Sequence, residues 1–236
     1  MADDVRNRYE HFAVFGQTQQ AELAQADEMY DTVPSVLGFQ PEFNKHPVVV
    51  LPGDVYNRSL NRWSQAQYEV GGVIYIRSSS FEGDTSPTDT VLHEVVHAYN
   101  EKALSWSVTG VKWFDEGTAK YVEFIVNQKR DVRQPEIFGD PVRWKAPCGE
   151  EHGGGRCVFT LAPRQTPDDL WRYYQNDYDF MKTWRPGTSP NKAFGYAFSE
   201  LLVRNYVRKN GIGSLHPVYD SLRKIDTQVR SAEEAS

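Results

Sequence analysis

His93-Glu94-Val95-Val96-His97 and, 18 residues further on, Glu116 within Trp113-Phe114-Asp115-Glu116-Gly117-Thr118-Ala119 decide how this chain is read. On a helix, H-E-x-x-H puts two imidazoles four residues apart on one face. Two histidines and one carboxylate make a protein ligand set for a catalytic zinc, with the fourth position open to water. Glu94, beside the first histidine, is placed to take a proton from that water. The competing reading of the first segment alone is an amphipathic helix whose histidines only pack or face water.

The surrounding residues favour a buried helix. Ser86-Pro87-Thr88-Asp89 is a start signal, with Ser86 as N-cap, Pro87 at the first helical position and Asp89 reaching back. Val91, Val95 and Tyr99 form one apolar strip, and Leu92 and Val96 another. The second segment also starts a helix. Asp115 and Glu116 fall in its first turn, where acids suit the helix dipole, and Ala119, Val122 and Val126 form a stripe to bury.

H-E-x-x-H, the 18-residue gap and a turn of the form aromatic-x-E-G-x-A-x-Y resemble the gluzincin metallopeptidases, which include thermolysin-like enzymes, zinc aminopeptidases and peptidase-MA-like domains. The residues carrying the likeness are His93, Glu94, His97, Trp113, Glu116, Gly117, Ala119 and Tyr121. The upstream outline is similar too. His11 to Phe15 reads as a strand, Thr18 to Val36 as one helix ending near Gly38, Val48 to Leu51 as a second strand and Gly71 to Ile76 as a third. The resemblance covers most of residues 10–127 and again 193–211. It implies an α+β, zincin-like fold: a small N-terminal mixed sheet with an edge strand over the H-E-x-x-H helix, followed by a mainly helical C-terminal lobe. It also implies a Zn2+ cofactor, a peptide or protein substrate, and Gly71 to Ile76 as the edge strand to which an extended peptide adds. Alternation puts Ile74 and Ile76 on one face of that strand, and Val73, Tyr75 and Arg77 on the other.

A chain of 236 residues suffices for one domain. Residues 1–85 read as the sheet-containing part, 86–127 as the two site helices, 128–190 as an irregular insert and 191–236 as a helical C-terminal part. The insert is punctuated by Pro135, Pro141, Pro147, Pro163, Pro167, Pro186 and Pro190, with a helix expected at Asp168 to Lys182. It is either a wall of a substrate cleft or a decorated surface loop. A helix resumes at Ala193, with Phe194, Ala197, Phe198, Leu201, Leu202 and Val203 on its apolar side, and stops at Asn210-Gly211. A short helix is expected over Val218 to Ile225, and a frayed tail after Ser231.

A net charge of −6 without a basic stripe argues against nucleic acid as a partner. No apolar run approaches the ~18 residues of a membrane span. Met1-Ala2-Asp3-Asp4 is acidic and opens no apolar stretch, so no signal peptide is expected in this chain. Cys148 and Cys157 flank Gly-Glu-Glu-His-Gly-Gly-Gly-Arg. The glycines make a disulfide sterically easy, and its closure would stabilise by about 2.5–3 kcal/mol. A bridge implies a secreted or extracellular protein. Two free thiols in a cytoplasmic loop are the competing reading, and a second zinc site using Cys148, His152 and Cys157 ranks last, being one ligand short.

The expected activity is zinc-dependent hydrolysis of peptide bonds with Glu94 as general base. Gluzincins supply a second oxyanion donor from a tyrosine or histidine of the C-terminal lobe. Phe194-Gly195-Tyr196-Ala197-Phe198 resembles the helix concerned, but the family's tyrosine would fall at Lys192. Tyr196 is the nearest tyrosine and the candidate, against plain core packing for the same residue; His152 is another. The zinc aminopeptidases carry G-x-M-E-N upstream of H-E-x-x-H. The stretch here, Gly71 to Tyr75, lacks Met-Glu-Asn, which favours internal cleavage. A non-catalytic binding domain on a peptidase fold, or a zinc hydrolase of non-peptide amides, are the other classes. The first predicts loss of Glu94 or of a ligand, and none is lost.

Overall fold

Residues that alternate between buried and more exposed build three of the sheet's four strands. The computed structural model describes residues 9–16, 20–60, 65–69, 71–81, 87–104, 111–131, 142–147, 156–161 and 192–224. Strands β1 (Phe12–Phe15), β2 (His46–Leu51), β3 (Ala66–Glu69) and β4 (Val73–Arg77) form one sheet in the order β1-β2-β4-β3. β1 pairs with β2 and β2 with β4 in parallel; β3 pairs with β4 antiparallel, with Tyr68 opposite Ile74. Phe12, Val14, Val48, Val50, Ile74 and Ile76 are buried on one face. This is the period-2 signature of a sheet with one face toward the core, and it matches the expected sides of Ile74 and Ile76.

The edge strand is a correction to the expectation. Gly71 to Ile76 does not lie at the edge. β4 sits between β2 and β3, and the short segment Ala66–Glu69 takes the outer position. Gly71 and Gly72, both at positive φ, form the turn that joins β3 to β4. Among the described strands, β3 and β4 pack most closely on the H-E-x-x-H helix.

The helix expected over Thr18 to Val36 is two. α1 (Gln20–Glu28) stops and α2 (Thr32–Leu37) starts afresh. Pro34 explains the break. It has no N–H to give to Tyr30, and its ring clashes with a helical carbonyl there, so it is accepted only in a first turn. Gly38 closes α2 at φ +83, donating its N–H to Pro34 O; a Cβ there would lie 2.0 Å from Gly213 O. Helix α3 (Gly53–Ser59) was not expected and packs against β4.

Helix α4 (Thr88–Ala103) carries H-E-x-x-H, and α5 (Lys112–Lys129) carries Glu116. Pro87, not Ser86, precedes the first turn of α4, and Asp89 Oδ1 accepts the N–H of Thr90; Ser86 lies outside the described residues. Val91, Leu92, Val95, Val96 and Tyr99 are all fully buried, as are Ala119, Val122 and Val126. Helix α6 (Lys192–Asn210) packs along α5, with Phe198, Leu201 and Val203 buried. A last helix, α7 (216–224), buries Tyr219 and donates Arg223 Nε to Ala103 O at 3.0 Å. The stretch taken as irregular contains an antiparallel pair, β5 (Val142–Pro147) and β6 (Arg156–Leu161), with Ala146 opposite Cys157. The helix expected at 168–182, the tail after 231, His152 and the Cys148–Cys157 pairing lie outside the described residues. The architecture is thus mixed α+β: a four-stranded sheet and a mainly helical remainder. Among the described residues no helix is long and apolar enough to cross a membrane.

Candidate metal centre

Crossing of α4 and α5 brings the three candidate ligands together. His93 and His97 lie one turn apart, and their Nε2 atoms are 3.1 Å from each other. Glu116 Oε2 lies 3.5 Å from His93 Nε2 and 3.7 Å from His97 Nε2. The three candidate ligand atoms fall within 4.8 Å of one another, close enough to share one metal ion. Glu116 Oε2 is buried and accepts no hydrogen bond. A buried carboxylate oxygen left so is costly unless a cation faces it. The residues therefore could hold a metal ion.

The other side of each imidazole is also occupied. Because both Nε2 atoms turn toward Glu116, both Nδ1 atoms turn away. His97 Nδ1 donates to Asp115 Oδ1 at 2.8 Å. His93 Nδ1 lies 2.7 Å from Glu123 Oε1, an ion-pair contact outside hydrogen-bond angles. A carboxylate on the far nitrogen fixes the tautomer and ring plane of a metal-binding histidine. Asp115 also accepts from Asn100 Nδ2 at 2.7 Å and from Lys112 Nζ at 2.8 Å. Asn100 Oδ1 in turn accepts the hydroxyl of Tyr219, so α7 is tied to the site through one amide.

The charges act as the geometry requires. Burial pushes His93 down, but Glu123 and then Glu116 outweigh it and hold the imidazole up at about 10. His97 is likewise raised: burial opposes, and Asp115 and Glu116 prevail. Burial lifts Glu116, yet His97 and His93 hold its carboxyl below the usual range. The carboxylates thus draw positive charge onto the imidazoles, the demand that a bound cation would meet instead.

Glu94 points to the same region from the sheet side. Its Oε2 accepts the main-chain N–H of Tyr68 on β3 at 2.7 Å. Burial raises its pKa, with His93 and His97 opposing. A second tether joins the same two elements, since the Tyr68 hydroxyl donates to Glu101 on α4. Tyr196, half-buried on α6, lies with its ring centroid 5.8 Å from Lys120 Nζ. Burial and then the charges of Glu116 and Glu94 push its phenol far up, so it stays protonated near neutral pH. Gly117 lets α6 come this close: a Cβ there would lie 2.6 Å from Ser199 O.

His93, Glu94, His97, Glu116 and Tyr196 were all named from the sequence, and α4, α5 and α6 bring them to one region. Tyr68, Asn100, Lys112, Lys120 and Glu123 were not, and Asp115 was taken only as a helix-start acid. One signal for them does exist: Lys112-x-x-Asp115 recurs eight residues later as Lys120-x-x-Glu123. No family model matches the chain, and no significant match occurs among curated proteins or solved structures.

Proposed function

We propose that the chain is a zinc-dependent peptide hydrolase of the gluzincin type, with His93, His97 and Glu116 as the metal ligands. The observation that carries this reading is the convergence of two Nε2 atoms on a buried Glu116 Oε2 that accepts no hydrogen bond. A Zn2+ ion held there would supply Lewis acidity toward a water and toward a scissile carbonyl.

The chain's own residues then have distinct tasks. Glu94 accepts the proton of the attacking water and returns it to the leaving amine. Its raised pKa suits a group that must both take and give a proton. The N–H of Tyr68 holds one carboxylate oxygen and leaves the other for the water. Tyr196, kept protonated by burial and by the surrounding carboxylates, donates to the oxyanion that forms on the substrate.

The substrate lies along β3 in this scheme. Gln65 O accepts from Arg77 N and Glu69 O from Gly72 N, so these residues turn their main chain toward β4 and the turn that leads into it. Ala66 and the carbonyl of Tyr68 therefore face the outer edge, where an extended peptide can add as a further strand, while the Tyr68 N–H stays with Glu94. An exported setting is part of the proposal only through the Cys148–Cys157 bridge.

Metal analysis of the purified protein and of His97→Ala, with hydrolysis of an unfolded protein measured with and without a chelator, tests the reading. One zinc per chain, lost in the variant, and chelator-sensitive cleavage are expected. Equal metal content in both proteins would overturn the site.

A further inference from the structure

Each candidate ligand histidine heads a relay of the same composition. His97 meets Asp115, which Lys112 Nζ holds at 2.8 Å. His93 meets Glu123, which Lys120 Nζ holds at 2.6 Å and 2.8 Å through its two oxygens. Each lysine sits three residues before its carboxylate on α5, and the two sets are related by two turns of that helix. The side chains are all at least two-thirds covered, from 10% exposed at His93 to 33% at Lys120.

Charge in such a place must balance, because burying an uncompensated ion is expensive. Counted ionised, Glu94, Asp115, Glu116 and Glu123 bring four negative charges, and Lys112 and Lys120 return two. With neutral imidazoles, two negative charges remain. Among these described residues, that remainder matches one divalent cation. Glu200, the next acid along α6, is already bonded to Arg204.

We propose that Lys112 and Lys120 are charge-setting positioning residues: each fixes the carboxylate that orients one ligand imidazole, and each cancels that carboxylate's charge so that the site is matched to a single dication. The carboxylates strengthen the hold on the metal; the lysines moderate it. This inference rests on the metal reading above and adds to it a role for residues that never touch the ion.

The two halves of a relay therefore have opposite effects. Titrate metal-free full-length protein with zinc in competition with a chromophoric chelator, and compare Glu123→Gln, Lys120→Met, Lys120→Arg and Lys112→Met. Glu123→Gln is expected to weaken zinc binding about 10- to 100-fold. Lys120→Met and Lys112→Met are expected to tighten it about tenfold, since a positive charge near the ion is removed. Lys120→Arg keeps the charge and is expected to match wild type. Thermal unfolding of each metal-free variant checks folding; if Lys120→Met does not fold, Lys112→Met decides the sign. Weaker binding in the folded lysine variants would make the lysines plain structural props and overturn the proposal. Wild type and His97→Ala binding zinc equally would instead remove the metal reading, and this inference with it.

Discussion

The main-chain N–H of Tyr68 donates to Glu94 Oε2 across 2.7 Å, so the edge strand and the second residue of H-E-x-x-H form one hydrogen-bonded unit. The bond has two consequences. It selects one rotamer of the proposed general base, and it fixes how far the sheet edge stands from the helix that carries the ligands.

Glu94→Gln separates these consequences. A glutamine oxygen still accepts from Tyr68, so fold and metal content are expected to stay as in wild type. The base is lost, and turnover is expected to fall about 10²–10⁴-fold. Metal analysis and steady-state cleavage of an unfolded protein check it. Near-normal turnover would remove Glu94 from the mechanism, and loss of metal would make it structural.

Gly117→Ala pits helix propensity against packing. Alanine favours a helix interior by about 1 kcal/mol. The new Cβ, however, would meet Ser199 O at 2.6 Å and Ser199 C at 2.8 Å, both main-chain atoms that cannot swing aside. α6 must move, and net destabilisation of about 1–3 kcal/mol is expected from overpacking. Urea unfolding measures it. A variant as stable as wild type would show that the α5–α6 contact yields freely.

A second buried polar cluster, away from the candidate metal centre, predicts a pH dependence. His46, at the start of β2, is 3% exposed and hydrogen-bonds Tyr30 through Nε2 at 2.8 Å. Burial, helped by His11, pulls its pKa down to about 4, against about 6.5 when unfolded. Above pH 6.5 the imidazole is neutral in both states and costs nothing. As pH falls from 6.5 to 4 only the unfolded chain gains the proton, so stability drops, by about 3 kcal/mol at the acid end. Glu200 runs the other way. Burial raises it to about 7 despite Arg204, so it favours folding as pH falls through the same window. His46→Gln isolates the histidine: wild-type stability minus variant stability should shrink between pH 7 and pH 4. A constant difference would mean that His46 does not titrate there.

The two site helices were legible because burial follows local periodicity: every position of the Val91, Leu92, Val95, Val96, Tyr99 face is fully covered. The His93–His97 pair was legible because helical spacing is fixed by geometry; Glu116, on the next helix, was legible only through the 18-residue gap and the resemblance it carries. Strand β3 was not. Ala66-Gln67-Tyr68-Glu69 has no apolar alternation, and beside its neighbour β4 it is held by Glu94 and Glu101, contacts distant in sequence. Glu123 and Lys120 were missed for a similar reason. Two charges on a helix read as a solvated face, and packing against α4 and α6 makes them interior. Pro34 is the local signal that divides α1 from α2, since a proline is accepted only in a first turn.

The corrected edge strand sharpens the question of where a peptide is cut. Placing β3 at the edge shifts the comparison with G-x-M-E-N to Gln65-Ala66-Gln67-Tyr68-Glu69, which also lacks Met-Glu-Asn but does end in an acid. An enzyme that removes N-terminal residues must offset the desolvation of an ammonium with a buried negative charge. Glu101 accepts the Tyr68 hydroxyl. Glu69 Oε1 accepts from Gln67 Nε2 at 2.9 Å and stands at the end of the strand rather than opposite Glu94. Neither is aimed at a free amine, so internal cleavage is the expectation. Digest one peptide with a free N-terminus and the same peptide N-acetylated, using wild type and Glu69→Gln. Both peptides should be cut at the same internal bond, at similar rates in both proteins. Stepwise removal of residues from the free peptide alone, abolished in Glu69→Gln, would identify Glu69 as an amine anchor and refute the internal mode.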